Sequence, residues 1–319
     1  MSATARPTNG TTKSFPGRLG IGAGQEPASR ECRHERLLSA KQSSRRTSAG
    51  RGLGAGRLRH MLDQELSDRD LRILCEVDRH GCLTTHHIER LCFAGHASAE
   101  SAGRTARRVL ARLHRERLLD KPLRRVGGRQ AGSTVTVWML SGSGKRLLNL
   151  HAGLGAVGRA RQPGDRSIDH HLAVADAHVV LVEAEHEGLI AVETVQIEPE
   201  CWRTFTALSG THTILKPDLF AITSPADHPS VEDHWFFEVD RATETIPTVL
   251  RQCRRYEVYR NQGDHTDVFP IVVWIVPDTH RAEQLRGGIR RGSLTNELYR
   301  VVTADQLIPL VATGDGGAV

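Results

Sequence analysis

The stretch VFPIVVWIVP, residues 268–277, carries no charged side chain and shows no polar alternation. A run this apolar has no face meant for water, so it predicts a strand in the middle of a sheet, covered on both sides. A membrane-crossing helix needs roughly 20 apolar residues, and no run in the chain approaches that. Helical patterns flank the strand. PTVLRQCRRYEVYRNQG (247–263) precedes it, with Pro247 tolerated in the first turn, and DTHRAEQLRGGI (278–289) follows it. A buried strand between two helices is an α/β signature.

The elements upstream extend that architecture. SIDHHLAVADAHVVLVEAEHEG (167–188) places Ile168, Leu172, Ala175, Val179 and Val182 on one helical face. LIAVETVQI (189–197), ILKPDLFAIT (214–223) and HWFFEVD (234–240) read as strands. The expected order over 167–310 is αβββαβ, then a further helix. Trp235, Phe236 and Trp274 fit core positions. Asp169, Asp176 and Glu183 recur every seven residues on one helix face, the spacing of a solvated stripe. His170 and His171 read as caps or solvent-facing residues, with His170 able to approach the strand ends if its helix flanks the sheet.

Residues 66–150 form a second pattern. LSDRDLRILCEVDRHG begins with Ser67 three residues before Asp70, a capping box, and ends at Gly81. A short helix in LTTHHIERLCFAG and a longer one from about 98 to 117 follow. DKPLRRVGGRQAGSTVTVWMLS then reads as a hairpin with a Gly-rich tip, and GSGKRLLNL as a last helix. Three helices and a basic hairpin are the order of a winged helix-turn-helix. Residues 151–166 are a Gly-rich linker, and 1–60 a basic, disordered leader, with Met61 just after it as an alternative start.

Charge is divided unevenly between these parts. Residues 1–150 hold 28 Lys and Arg against 13 Asp and Glu, while 151–319 hold 15 against 24. The basic part fits a polyanion, expected to be double-stranded DNA. In the helix near 98–117, Ala106, Val109, Leu110 and Leu113 share one side. Arg104, Arg108, Arg112 and Arg115 share the other, with Arg107 at its edge. Arg124, Arg125 and Arg129 add charge around the hairpin tip. These eight arginines are the expected DNA contacts, to phosphates or to base edges in the major groove.

Cysteine usage and the N-terminus point to a reduced, cytoplasmic setting. The six cysteines form no CxxC pair, and MSATARPTNG lacks the apolar core of a secretory signal. A zinc site drawn from Cys82, His86, His87, Cys92 and His96 matches no common finger spacing. GSGKRLL lacks the spacing of a phosphate-binding loop, and no serine stands in a nucleophile elbow, so neither ATP hydrolysis nor serine hydrolysis is expected.

The remaining question is why Asp218, Glu238 and Asp240 stand among Phe, Leu, Ile and Val. Glu238 and Asp240 are two apart on a strand and share a face, as Lys216 and Asp218 do by the same alternation. On neighbouring strands these groups would converge. Carboxylates and waters make an oxygen shell for Mg²⁺ or Mn²⁺, and such an ion can polarise a phosphate and activate water. The competing reading is a set of strand-end acids.

KPD (216–218), EVD (238–240) and the αβββαβ order resemble the PD-(D/E)xK nuclease superfamily over about 167–290. The resemblance implies Asp218, Glu238 and Asp240 as metal ligands and Gln252 as a further site residue, QCRRY (252–256) being similar to that superfamily's QxxxY element. Asp240 stands where the superfamily carries Lys. Lys216 is the candidate substitute, with Arg241 and Arg251 behind it. More of the chain, about 66–290, resembles the replication-relaxation family through LSDRDLRILCEVDRHGCLTTHHIERL, HHLAVADAHVVL, LKPDLFAI, FFEVDRATET and VVWIVPD in that order. That resemblance implies a protein of plasmids or integrated mobile elements working on DNA alongside replication or mobilisation proteins. It allows two roles. One is a metal-dependent endonuclease or nickase. The other is a non-enzymatic replication accessory, mobilisation factor or transcriptional regulator on a degenerate nuclease-like scaffold.

Overall fold

The computed structural model describes residues 52–94, 98–122, 126–127, 134–160, 165–206, 210–262 and 269–314. The described residues all belong to one compact unit. The regions expected at 66–150 and 167–310 both lie inside it. Among the described residues no helix is long and apolar enough to cross a membrane.

The described residues open with α1 (Ala55–Gln64), which overlaps the end of the segment expected as leader. Leu58 and Met61 are fully buried there, so the core begins before the first strong sequence signal. α2 (Asp68–His80) starts at the expected capping box and stops at Gly81, whose φ of 73° suits glycine. β1 (Leu83–Thr84) leads into α3 (Thr85–Cys92), capped by Thr84, and α4 (Ala99–Arg115) follows. β2 (Leu119–Asp120) precedes a short antiparallel pair, β3 (Val126–Gly127) and β4 (Thr134–Val135). β5 (Val137–Leu140) then pairs antiparallel with both β1 and β2, giving a three-stranded sheet in the order β1-β5-β2. α5 (Gly142–His151) closes this region, its first turn bound by the Ser141 hydroxyl. Gly144 is required there, because a Cβ would lie 2.3 Å from the Leu118 carbonyl oxygen.

α6 (Asp165–His186) leads into the larger sheet. Its strands are β6 (Ile190–Ile197), β9 (Leu219–Pro225), β10 (Asp233–Val239), β11 (Ile271–Val276) and β12 (Tyr299–Thr303). They lie in the order β12-β11-β10-β9-β6. β6, β9 and β10 are antiparallel neighbours, whereas β10, β11 and β12 run parallel. β11 is the apolar run from which the architecture was read, and it has strands on both sides. α7 (Ile246–Gln262) and α8 (Thr279–Arg291) cover one face through Val249, Cys253, Tyr256, Ala282 and Leu285. α6 and α9 (Leu307–Thr313) cover the other through Val174, Leu181, Leu307 and Val311. Trp235, Phe236 and Trp274 are core residues, as expected.

Three features differ from the sequence reading. First, the stretch 214–223 is not one strand. It divides at Lys216-Pro217-Asp218 into the end of β8 (His212–Leu215) and the start of β9. Pro217 has no N–H to give a ladder, and β8 pairs with β7 (Arg203–Thr206) as a separate hairpin. Lys216 and Asp218 therefore do not sit on one strand face. Second, β12 and α9 extend the sheet domain beyond the expected αβββαβ order.

Third, α6 is buried on two sides. The apolar face read from the sequence, with Ala175 and Val179, joins the core of α2–α5. Ile168 packs with Cys82, Val137 and Met139. The acidic stripe is partly engaged as well. Asp176 Oδ1 lies 2.8 Å from His87 Nε2, and Glu183 takes two hydrogen bonds from the Arg90 guanidinium. Asp176 is 65% exposed, so this pair adds little, and apolar burial carries the joint.

The α2 cap generates a prediction. Asp70 is buried and accepts hydrogen bonds from Ser67 N–H, at 2.9 Å, and from Arg112, at 2.5 Å. Burial alone would raise its pKa, but the bonds from Arg112 and Ser67 outweigh that and hold it below 3.8. A depressed carboxylate stabilises the fold above its unfolded pKa and loses that contribution as pH falls through the folded one. Asp70→Asn should therefore destabilise the protein at pH 7 and flatten the acid limb of its stability curve below about pH 4. Ser67→Ala should cost about 1 kcal/mol in denaturant unfolding.

Candidate nucleic-acid interface and acidic cluster

α4 begins at Ser98, whose hydroxyl accepts from Ser101 N–H at 3.2 Å. Its apolar side is sealed, with Ala106, Leu110 and Leu113 fully buried. The opposite side carries Arg104, Arg107, Arg108 and Arg115, all exposed. Arg104 has only an i,i+4 contact with Glu100 at 3.5 Å. Arg112 differs from this group. Its guanidinium binds Asp70 at 2.5 Å and Glu116 at 3.4 Å, tying α4 to the start of α2. Sequence periodicity placed all five arginines together, but Arg112 is a structural ion pair because it neutralises a buried carboxylate. Arg124, Arg125 and Arg129 lie outside the described residues.

The acids stand at the ends of β9 and β10. Asp218 immediately precedes β9. Its Oδ1 accepts from His170 Nε2 at 2.9 Å, and its Oδ2 accepts from Val239 N–H at 2.8 Å. His170 therefore does approach the cluster from α6. The hydrogen bond to Asp218, outweighing burial, raises the His170 pKa above its ordinary value. Glu198, which follows β6, adds to that field and was not singled out by sequence.

Glu238 is the penultimate residue of β10 and is 4% exposed. It lies on the α7 face, where Gln252 Nε2 donates to its Oε1 at 2.8 Å and Tyr256 Oη donates to the same oxygen at 2.6 Å. Burial, with the neighbouring Asp218 charge behind it, pushes the Glu238 pKa well above the usual carboxylate range, against the lowering effect of those two donors. The Tyr256 hydroxyl is likewise pushed up, first by burial and then by Glu238. Gln252 and Tyr256, one helical turn apart, thus act as one clamp on Glu238.

Asp240 follows β10 and is also buried, but it has a different partner. Arg281 Nε donates to its Oδ2 at 2.6 Å, and Ala242 N–H donates to its Oδ1 at 2.7 Å. Arg281 also donates to the Glu244 carbonyl at 2.8 Å. No local pattern marks Arg281 in the sequence, since its pairing depends on how α8 folds back beside β10. Lys216 is exposed, and its ammonium lies 4.3 Å from the centre of the Trp202 ring. Arg241 contacts Asp169 at 3.2 Å, and Arg251 bonds Thr248 at 3.0 Å.

Asp218 and Glu238 are thus close enough to couple electrostatically, while Asp240 is committed to Arg281. Among the described residues, the only group of three or more His, Cys, Asp or Glu side chains with ligand atoms all within 4.8 Å of one another is Glu76, His80 and His178. Of the residues first weighed for zinc, His96 lies outside the described residues, and the others form no such group. Cys82 and Cys92 are buried, which pushes their thiols up to about 12, and His87 completes the α3 cap.

No curated protein and no solved structure matches the chain. The replication-relaxation family does, over residues 74–272 of the 319. That span runs from α2 through the acidic cluster and into β11, so the chain belongs to the replication-relaxation family.

Proposed function

We propose that this chain binds double-stranded DNA of a plasmid or integrated mobile element during replication or relaxation, using α4 and the hairpin that follows it. The observation carrying this reading is the helix α4, sealed by Ala106, Leu110 and Leu113 on one side and presenting exposed Arg104, Arg107, Arg108 and Arg115 on the other. Four guanidiniums along one exposed helix face suit phosphates at the edges of a major groove. Helices α2, α3 and α4 with the β1-β5-β2 sheet have the parts of a winged helix-turn-helix, in which such a helix is the DNA reader.

A second reading is favoured by the Asp218–Glu238 pair. A buried carboxylate with a strongly raised pKa beside another acid is a functional-site signature. The donors fit Mg²⁺ or Mn²⁺ in part. Asp218 and Glu238 supply hard oxygen ligands, whereas Asp240 is held by Arg281. A divalent ion there would polarise a scissile phosphate and lower the pKa of an attacking water. The chain's own residues would orient the site. Gln252 and Tyr256 fix Glu238, and His170 holds Asp218 and can carry a proton at Nε2. Arg281 is bonded to Asp240, and Lys216 lies over the Trp202 ring, so neither supplies a free cation beside Asp218 and Glu238. We therefore rank DNA binding first and cleavage second.

Two measurements test this. Arg107→Ala combined with Arg108→Ala should weaken binding to duplex DNA and make the salt dependence of log K shallower by about 2, since each phosphate contact contributes roughly 0.9. Unchanged affinity would remove α4 from the interface. Arg112→Ala should act differently, lowering the melting temperature through the loss of Asp70's partner. For the second reading, supercoiled plasmid incubated with Mn²⁺ should be nicked by the wild-type chain and not by Asp218→Ala or Glu238→Gln. Intact plasmid with wild type, at protein concentrations that saturate DNA binding, would leave a binding protein on a nuclease-like scaffold.

A further inference from the structure

The joint between α2 and α6 contains a second titratable cluster. Glu76 and His80 are one helical turn apart on α2, and His178 faces them from α6. His80 and His178 are 2% and 4% exposed. Their rings stack with centroids 5.1 Å apart, and His80 Nε2 lies 3.0 Å from His178 Nδ1. Glu76 Oε2 is 3.8 Å from that same His80 nitrogen. Glu76 Oε2 and His80 Nδ1 are also buried atoms with no hydrogen-bond partner, and such orphans are costly in a native core. Two imidazole nitrogens and a carboxylate oxygen therefore converge in the joint, with a His–His hydrogen bond between two of them.

We propose that Glu76, His80 and His178 bind Zn²⁺, with a water as fourth ligand, and that the ion staples α2 to α6. The donor chemistry fits zinc, which takes imidazole nitrogen at about 2.0–2.1 Å and carboxylate oxygen at about 2.0–2.2 Å. In the metal-free joint a shared proton joins His80 to His178, and the ion would take the position between their lone pairs. Arg79 lies 4.0 Å from Glu76 Oε2, and Arg72 also acts on that carboxylate. Arg79 is partly spent elsewhere, since its guanidinium donates to the Val195 carbonyl. The two arginines still oppose a dication, so the affinity expected is below that of a cage without them. The site lies in the packed joint and its ion would be structural, fixing the α4-bearing region against the sheet domain.

The test is Zn²⁺ titration of the full chain after chelator treatment, followed by calorimetry and thermal melting. Wild type should bind one equivalent, melt at higher temperature with Zn²⁺ than with EDTA, and lose both effects in His178→Gln and in Glu76→Gln. Asp218→Ala, in the other cluster, should keep the equivalent. Co²⁺ substitution of the wild type provides a readout independent of the variants' folding. The expected visible spectrum is that of nitrogen and oxygen ligation without thiolate charge-transfer bands. Absence of zinc binding by the wild type, undiminished binding in both variants, or a thiolate spectrum would each overturn the proposal.

Discussion

Helix α6 is apolar on two sides, and the unity of the structure depends on that. Val174, Ala177, Leu181 and Ala184 pack on the large sheet. Ala175 and Val179, rotated away from them, enter the core of α2–α5. A helix apolar most of the way round has to be buried most of the way round. α6 meets that demand by serving as a shared wall, so the N-terminal helices cannot swing freely on a linker. Polar contacts at this wall, Asp176 with His87 and Glu183 with Arg90, each involve an exposed carboxylate and set register more than stability.

The same wall links the wall's polar end to the acidic cluster. His170, near the start of α6, reaches Asp218, while α7 on the opposite face supplies Gln252 and Tyr256 to Glu238. The two acids are held from opposite layers of the fold, at the ends of adjacent antiparallel strands. That arrangement keeps like charges near one another in a poorly hydrated place, and the cost appears as the raised Glu238 pKa. Asp240 is instead bonded to Arg281. Three acids that look alike in sequence thus have three different sets of partners, set by which helix each one meets.

This explains what the sequence could and could not disclose. The β11 run, the α2 capping box, the α6 apolar stripe and the Gln252–Tyr256 spacing were all legible, because each is a local pattern with a physical cause. The partner of that α6 stripe was not, because periodicity identifies a buried face without naming what buries it. The break at Pro217 was visible in principle, since proline withdraws a ladder donor, but the apolar residues around it read as one continuous strand. β12 was within reach of the same pattern reasoning, since Tyr299, Val301, Val302 and Thr303 are strand-favouring residues in one short run. Arg281 and the Glu76–His80–His178 cluster had no local signal, because their contacts join elements far apart in the chain.

Charge shows the difference between composition and availability. The first 150 residues hold 28 basic and 13 acidic side chains. Several of the basic ones are already committed within the fold. Arg112 serves Asp70, Lys145 serves Asp78 at 2.6 Å, and Arg90 serves Glu183. A committed guanidinium offers a polyanion little, since taking it away would leave a carboxylate unpaired, and for Asp70 a buried one. What remains on α4 is an exposed set with no buried acid to neutralise, and its fields add along one face. The strength of a DNA interface here should therefore follow Arg107, Arg108 and Arg115 more than the overall basic balance, and the formal charge of this half overstates what a phosphate backbone would meet.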